Sequence, residues 1–228
     1  MSREARSPTQ LRLLDAIPQR QQIAQGQRNE SATVCLPWQH VLQYLTVNQQ
    51  QLLQQEAQTY PFERPELTVF GKQHMIPREQ VWFADAGCDY LYSGLMIHAA
   101  PWPHYLLRLR AQLEQSFDQP FNGVLVNHYR DGLDRMGWHS DDEPEMVPNS
   151  LVISISIGAT RDFDIRHKQR AERHRITLRS GDMLVMQPRM QQLWQHSLPQ
   201  RKRLAEPRLN YTFRQLIVDY HQSSSQRS

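Results

Sequence analysis

Asn127-His128-Tyr129-Arg130-Asp131-Gly132, followed shortly by Trp138-His139-Ser140-Asp141-Asp142-Glu143, is the stretch from which the rest of the chain is read. His139 and Asp141 are two residues apart, so on an extended backbone their side chains share a face. An imidazole and a carboxylate on one face supply two of the three ligands of a 2-His-1-carboxylate site. That ligand set suits Fe(II) and leaves the opposite side of the ion open for small molecules. An H-x-D pair alone is equally a surface histidine beside solvated acids, so the weight falls on what lies downstream.

Downstream, the best third ligand is His196 in Leu193-Trp194-Gln195-His196-Ser197-Leu198-Pro199, although a lone histidine in so apolar a setting is ordinarily a hydrogen-bonded core residue. Next comes Pro207-Arg208-Leu209-Asn210-Tyr211-Thr212-Phe213-Arg214. Read as a strand, it turns Leu209, Tyr211 and Phe213 one way and Arg208, Asn210, Thr212 and Arg214 the other. Burying that polar face is costly without an anion, and guanidinium forks match carboxylates, so a dicarboxylate is its natural occupant. The alternative is an exposed polar face on an edge strand. Iron ligands followed by such a strand favour a 2-oxoglutarate site.

A chain of 228 residues is long enough for one domain with a substantial core, or two small ones. It has no apolar run of membrane-spanning length, and its first residues lack the apolar segment of a secretory signal, so no membrane partner is expected. Cys35 and Cys88 make no metal-type pair, which fits a reduced compartment: cytoplasm in a bacterium, nucleus in a eukaryote. Net charge is only +3, but from Arg161 to Arg179 seven basic side chains against three acidic ones leave +4. With Arg201-Lys202-Arg203, that run is a candidate phosphate-contacting surface through Arg161, Lys168, Arg170 and Arg173. A solvated hairpin without a partner has the same composition.

Residues 1–36, rich in Gln, Arg and Ser, read as a loosely packed arm, and residues 221–228 as a tail. Between them, residues 37–220 form a single domain. Asn48 is a plausible N-cap for a helix carrying Leu52, Leu53 and Ala57. Pro103 suits the first turn of a second helix, whose buried stripe is Leu106, Leu109, Leu113 and Phe117. From Phe121 the pattern changes to short strands: 121–129, 151–157, 163–166, 175–178, 183–186, 193–196 and 208–215. A few helices followed by many strands predict an α+β, mainly β fold with N-terminal helical buttresses. The two sheets of a jelly roll can bring side chains from separate strands into one mouth.

These segments together resemble the AlkB-type Fe(II)/2-oxoglutarate dioxygenases, and more closely the nucleic-acid demethylases of the AlkB-homologue 2 and 3 kind. The carrying residues are Asn127-x-Tyr129-x-x-Gly132, His139-x-Asp141-Asp142-Glu143, Ser156-Ile157-Gly158-Ala159-x-Arg161-Asp162-Phe163, Arg166-His167-Lys168, His196-Ser197-Leu198-Pro199 and Arg208-x-Asn210-x-Thr212-Phe213-Arg214. Val69-Phe70-Gly71-Lys72, Pro77-Arg78, Asp85-Ala86-Gly87 and Tyr90-x-Tyr92-Ser93-Gly94 also fit, so the likeness runs from about residue 60 to 217. It implies a double-stranded β-helix with its jelly-roll core over 121–217 and a nucleotide-recognition lid over 60–120. It further implies His139, Asp141 and His196 on iron, and Asn127, Tyr129, Arg208, Thr212 and Arg214 around 2-oxoglutarate, with O2 as second co-substrate. Methylated DNA, single- or double-stranded, or RNA would be the substrate of a monomeric enzyme. Tyr90, with Tyr92 and Ser93, would contact a flipped base, Asp142 or Glu143 would accept its exocyclic amine, and Arg78 would join them. Phe70 would fill the vacated stack. Two other classes remain open: a dioxygenase of the same fold acting on protein or metabolite, and a binder of methylated nucleic acid that has lost catalysis.

Overall fold

The computed structural model describes residues 36–69, 72–92 and 95–225, with backbone alone at 67–69, 72, 92, 95 and 223–225. The expected arm over 1–36, apart from Leu36, and the last three residues of the tail lie outside the described residues. The elements run β1 (Trp38–Val41), α1 (Val47–Ala57), β2 (Glu66–Val69), β3 (Lys72–Met75), β4 (Glu79–Ala84), β5 (Tyr90–Tyr92), β6 (Leu95–Ile97), α2 (His104–Phe117), β7 (Gly123–Tyr129), β8 (Met136–His139) and β9 (Val152–Gly158). They continue with β10 (Arg161–His167), β11 (Arg173–Leu178), β12 (Met183–Met186), α3 (Pro188–Leu193), β13 (Trp194–Leu198), β14 (Arg208–Arg214) and α4 (Tyr220–Ser225).

Six strands form one antiparallel sheet in the order β1-β12-β9-β14-β7-β4, and four form a second, β11-β10-β13-β8. The central strands of the larger sheet are buried on both faces, and the faces differ in chemistry. On one, Val124, Val126, Ile153, Ile155, Ile157, Tyr211 and Phe213 pack against Leu53 and Ala57 of α1 and Leu106, Leu109 and Leu113 of α2. At ~1.5–3 kcal/mol for each large aliphatic side chain taken from water, this cluster outweighs any polar contact in the molecule. The other face carries Asn127, Tyr129, Ser154, Ser156, Arg208, Asn210, Thr212 and Arg214, all buried. The sheets meet where Val152, Leu184 and Met186 pack on Phe163, Ile165, Leu178 and Trp194. The result is a jelly roll, apolar toward its helices and polar within.

The helices start differently from their sequence reading. Thr46, not Asn48, is the N-cap of α1, and with Gln49 it forms a reciprocal capping box. Pro103 precedes the first turn of α2 as its N-cap and offers no side-chain bond. Glu56 of α1 takes that role instead, accepting from the backbone N–H groups of Tyr105 at 2.7 Å and Leu106 at 3.1 Å. Two strands of the larger sheet escape the sequence pattern. Glu79–Ala84 is buried at every position after the first, so it lacks the period-2 alternation that marks a strand. Trp38–Val41 is a four-residue edge. The stretch expected to form a lid therefore also gives β4 and α2 to the scaffold, leaving the hairpins β2–β3 and β5–β6 as separate two-stranded sheets.

Candidate active site

Strands β8 and β13 are neighbours in the smaller sheet, and their register sets His139 opposite His196. Asp141 lies two residues beyond the end of β8, and the three side chains bring one ligand atom each to within 4.8 Å of one another. His139 Nε2 is 3.9 Å from Asp141 Oδ1, and His196 Nε2 is 3.6 Å from Oδ2. Ligands at right angles on bonds of ~2.1 Å lie ~3 Å apart, so small movements close this set on an ion. The donor set, two imidazoles and a carboxylate, fits Fe(II). Phe163 stacks on the His196 ring at 5.0 Å and fixes its plane.

Asp141 is almost wholly buried, which by itself would raise its carboxyl. The guanidinium of Arg214 and the imidazoles of His196 and His139 outweigh burial and hold it at about 2. Arg214 Nη2 donates to Asp141 Oδ1 at 2.5 Å. Burial, and then the neighbouring His139, push His196 down to about 3. The imidazole is therefore neutral near pH 7, the form that ligates a metal. The backbone N–H of Asp141 donates to Gln191 Oε1 at 2.9 Å. Gln191 sits on α3, and nothing in the local sequence pattern singles it out.

Strand β14 lines the adjoining pocket with Arg208, Asn210, Thr212 and Arg214, facing Asn127, Tyr129 and Ser154. Arg208 Nη2 donates to Ser156 Oγ and Asn210 Oδ1, both at 2.7 Å. Asn210 Nδ2 passes a bond to Thr212 Oγ1 at 2.9 Å. The Arg208 guanidinium lies over the Tyr129 ring at 5.4 Å, and its Nε has no hydrogen-bond partner. Burial, offset in part by Tyr129, brings Arg208 down to about 10, so it stays charged. A buried cation on neutral acceptors, with an orphaned donor, is a site shaped for an anion. Ser154 and Ser156, which alternate with isoleucines in β9, belong to this row, and their alternation is legible in the sequence.

On the substrate side the expected residues stand in different surroundings. Tyr90 is 1% exposed, its ring stacked on Trp82 at 5.0 Å with Arg214 at 5.1 Å on it, so it offers no free face to a base. Its hydroxyl donates instead to Glu143. Arg78 is buried and donates to Asn127 Oδ1 at 2.8 Å, so it is held against a residue that lines the pocket. Asp142 is exposed and lies 3.3 Å from the Lys168 ammonium. Phe70, Ser93 and the side chain of Tyr92 lie outside the described residues.

The basic run divides once folded. Arg161 is 1% exposed and donates to the carbonyls of Asp131 at 3.1 Å and of Asp134 and Pro199 at 2.8 Å, so it cannot meet a phosphate. It ties the loop after β7 to the loop after β13. Gly132 completes the tie: its N–H donates to Leu204 O at 2.8 Å and its carbonyl accepts from Arg201 N at 2.7 Å. A Cβ on Gly132 would stand 1.8 Å from Arg201 O. Arg175 is spent on Asp164, Arg170 lies near Glu172, and Arg201 pairs with Asp162. Lys168 also donates to Gln191 O at 2.8 Å. Arg173, Arg179, Lys202 and Arg203 are exposed, with no ion pair among the described residues.

A family model described as the 2OG-Fe(II) oxygenase superfamily matches residues 38–214. The mouse DNA oxidative demethylase ALKBH2 is 43% identical over 173 residues, covering 72% of this chain and 72% of that protein. The human ALKBH2 is 40% identical over 176 residues, 74% of this chain and 67% of that protein. A bovine alpha-ketoglutarate-dependent dioxygenase alkB homolog 3 is 37% identical over 63% of this chain and 53% of its own length. The solved structure of OsALKBH1 superposes with a TM-score of 0.55 over 78% of this chain and 96% of that one, at 14% identity, a likeness of fold.

Proposed function

This chain belongs to the 2OG-Fe(II) oxygenase superfamily, and from that premise we propose that it is a DNA oxidative demethylase acting on bases methylated at adenine N1 and cytosine N3. The observation that carries the reading is the juxtaposition of the His139–Asp141–His196 cluster with the buried guanidinium row of β14. The demethylases named among its relatives support the substrate class. Iron held there would let O2 act as the oxidant and 2-oxoglutarate as the reductant: one oxygen atom would enter succinate as carbon dioxide leaves, and the other would enter a methyl C–H. The hydroxymethyl group on nitrogen then leaves as formaldehyde.

The chain's own residues position and exclude. His139, Asp141 and His196 hold the ion, and Arg208, with Asn127 and Tyr129, takes the far carboxylate of the co-substrate. Arg214, already on Asp141, orients the near end, with Thr212 beside it. Methyls on the Watson–Crick edge are unreachable in a stack, so the base must turn out, and the lesion itself lowers that cost. In this reading Tyr92 and Ser93 contact the base, Glu143 accepts from its amino group with Asp142 nearby, and Phe70 fills the vacated stack. Arg173, Lys202 and Arg203 hold phosphates. Single-stranded DNA, duplex DNA and RNA are all within the reading, as is a monomer working where the genome lies. Among the described residues no helix is long and apolar enough to cross a membrane.

The test is formaldehyde and succinate release from a 1-methyladenine oligonucleotide given Fe(II), 2-oxoglutarate and air. Succinate without formaldehyde, on methylated DNA and RNA alike, would remove the substrate class and keep the oxygenase. Neither product would leave a binder.

A further inference from the structure

Trp138 immediately precedes His139 on β8, the edge strand of the smaller sheet. His139 lines the pocket and Trp138 does not, so the indole stands on the opposite face, where it is 36% exposed. It is not loose. The Arg166 guanidinium lies over the ring at 4.4 Å. Arg166 is itself held flat from the strand between, with Nε and Nη2 both donating to Gln195 Oε1 at 3.0 and 2.7 Å. The nearest acid along that strand face, Asp164, is consumed by Arg175 at 2.5 and 2.8 Å and does not compete. Arg173, exposed, stands opposite Arg166 in the register of β10 and β11.

An indole left partly in water and fixed beside an oriented guanidinium, one residue from a ligand of the cluster, is placed to receive a ligand. A nucleotide offers what the pair lacks, a π-face for the ring and a phosphate for the uncommitted Nη1 of Arg166. We propose that Trp138 and Arg166 form a subsite for the nucleotide that flanks the base entering the pocket. The proposal rests on the demethylase reading and adds to it a contact by which the enzyme tells a strand from an isolated nucleotide. Because β8 is an edge strand, a nucleic-acid strand can pass over it from the mouth to the outer face without crossing the sheet.

The subsite is tested by binding without turnover, anaerobically, with Mn(II) and 2-oxoglutarate. A 1-methyladenine mononucleotide and a pentanucleotide centred on the same base compete against a labelled oligonucleotide. The wild type should gain affinity with length. Trp138→Ala should lose about tenfold on the pentanucleotide, in line with the value of one base stacked on an aromatic ring. Its affinity for the mononucleotide should fall much less. Trp138→Phe should recover most of the loss, and Arg166→Gln, which leaves the ring in place, should lose several-fold on the pentanucleotide alone. Wild-type affinity in Trp138→Ala and Arg166→Gln, or equal losses on both ligands, would overturn the subsite. Binding by the wild type without formaldehyde in air would instead sink the demethylase reading and leave the subsite standing.

Discussion

Arg214 does two things at once, and its replacement separates them. It neutralises a buried carboxylate at 2.5 Å and lines the pocket beside β14. Removing one partner of a buried pair strands the other, at ~3–5 kcal/mol. Arg214→Met should therefore lower the melting temperature of the metal-free protein by several degrees, and Fe(II) or Co(II) should restore part of it, since the ion replaces the lost charge beside Asp141. Its KM for 2-oxoglutarate should rise by more than tenfold, whereas Arg179→Met, exposed and away from β14, should leave both unchanged. Equal shifts in the two variants would refute the assignment. His196→Ala should abolish turnover and weaken Co(II) binding, read by titrating the visible absorption of the bound ion; full activity would remove His196 from the ligand set.

At the scale of elements, α1 caps the start of α2 with one carboxylate. Glu56→Ala should cost about 1–2 kcal/mol, measured by denaturant unfolding, because two N–H groups at the start of α2 lose their acceptor. The KM for 2-oxoglutarate should not change; a change would mean that the helices transmit to the pocket. The strands differ in how far their sequence betrayed them. β14 was legible because its polar and apolar residues alternate and each face is buried for its own reason. β4 was not, since a strand covered on both sides has no period to detect. Arg161 and Tyr90 differ in another way. Their types suit a phosphate or a base, but the carbonyls of Asp131, Asp134 and Pro199 come from remote segments, and the ring of Trp82 reaches Tyr90 only through the turn between β4 and β5. The His139–Asp141 pair was readable from spacing, and His196 from its place before the arginine strand, whereas Gln191 depends on a tertiary contact.

For the whole molecule the question is how a chain of net charge +3 grips a polyanion. The fold spends much of its basic run internally and leaves Arg173, Lys202 and Arg203 outward, with Arg179. Replacing all three with Gln should flatten the dependence of log affinity on log salt by about 2 for single-stranded DNA, at ~0.7 per phosphate contact. Which methylated base is processed should not change. An unaltered slope would move the phosphate path elsewhere. The tie between Gly132 and the Arg201–Leu204 loop has a calorimetric consequence. A loop fastened by backbone bonds in both directions and by a buried arginine is already ordered before any strand arrives. Lys202 and Arg203 thus add charge without a folding step, and binding should show a small heat-capacity change rather than the large negative one of coupled folding. Gly132→Ala, which forces that loop off its partner, should make the heat-capacity change more negative and slow the approach to equilibrium.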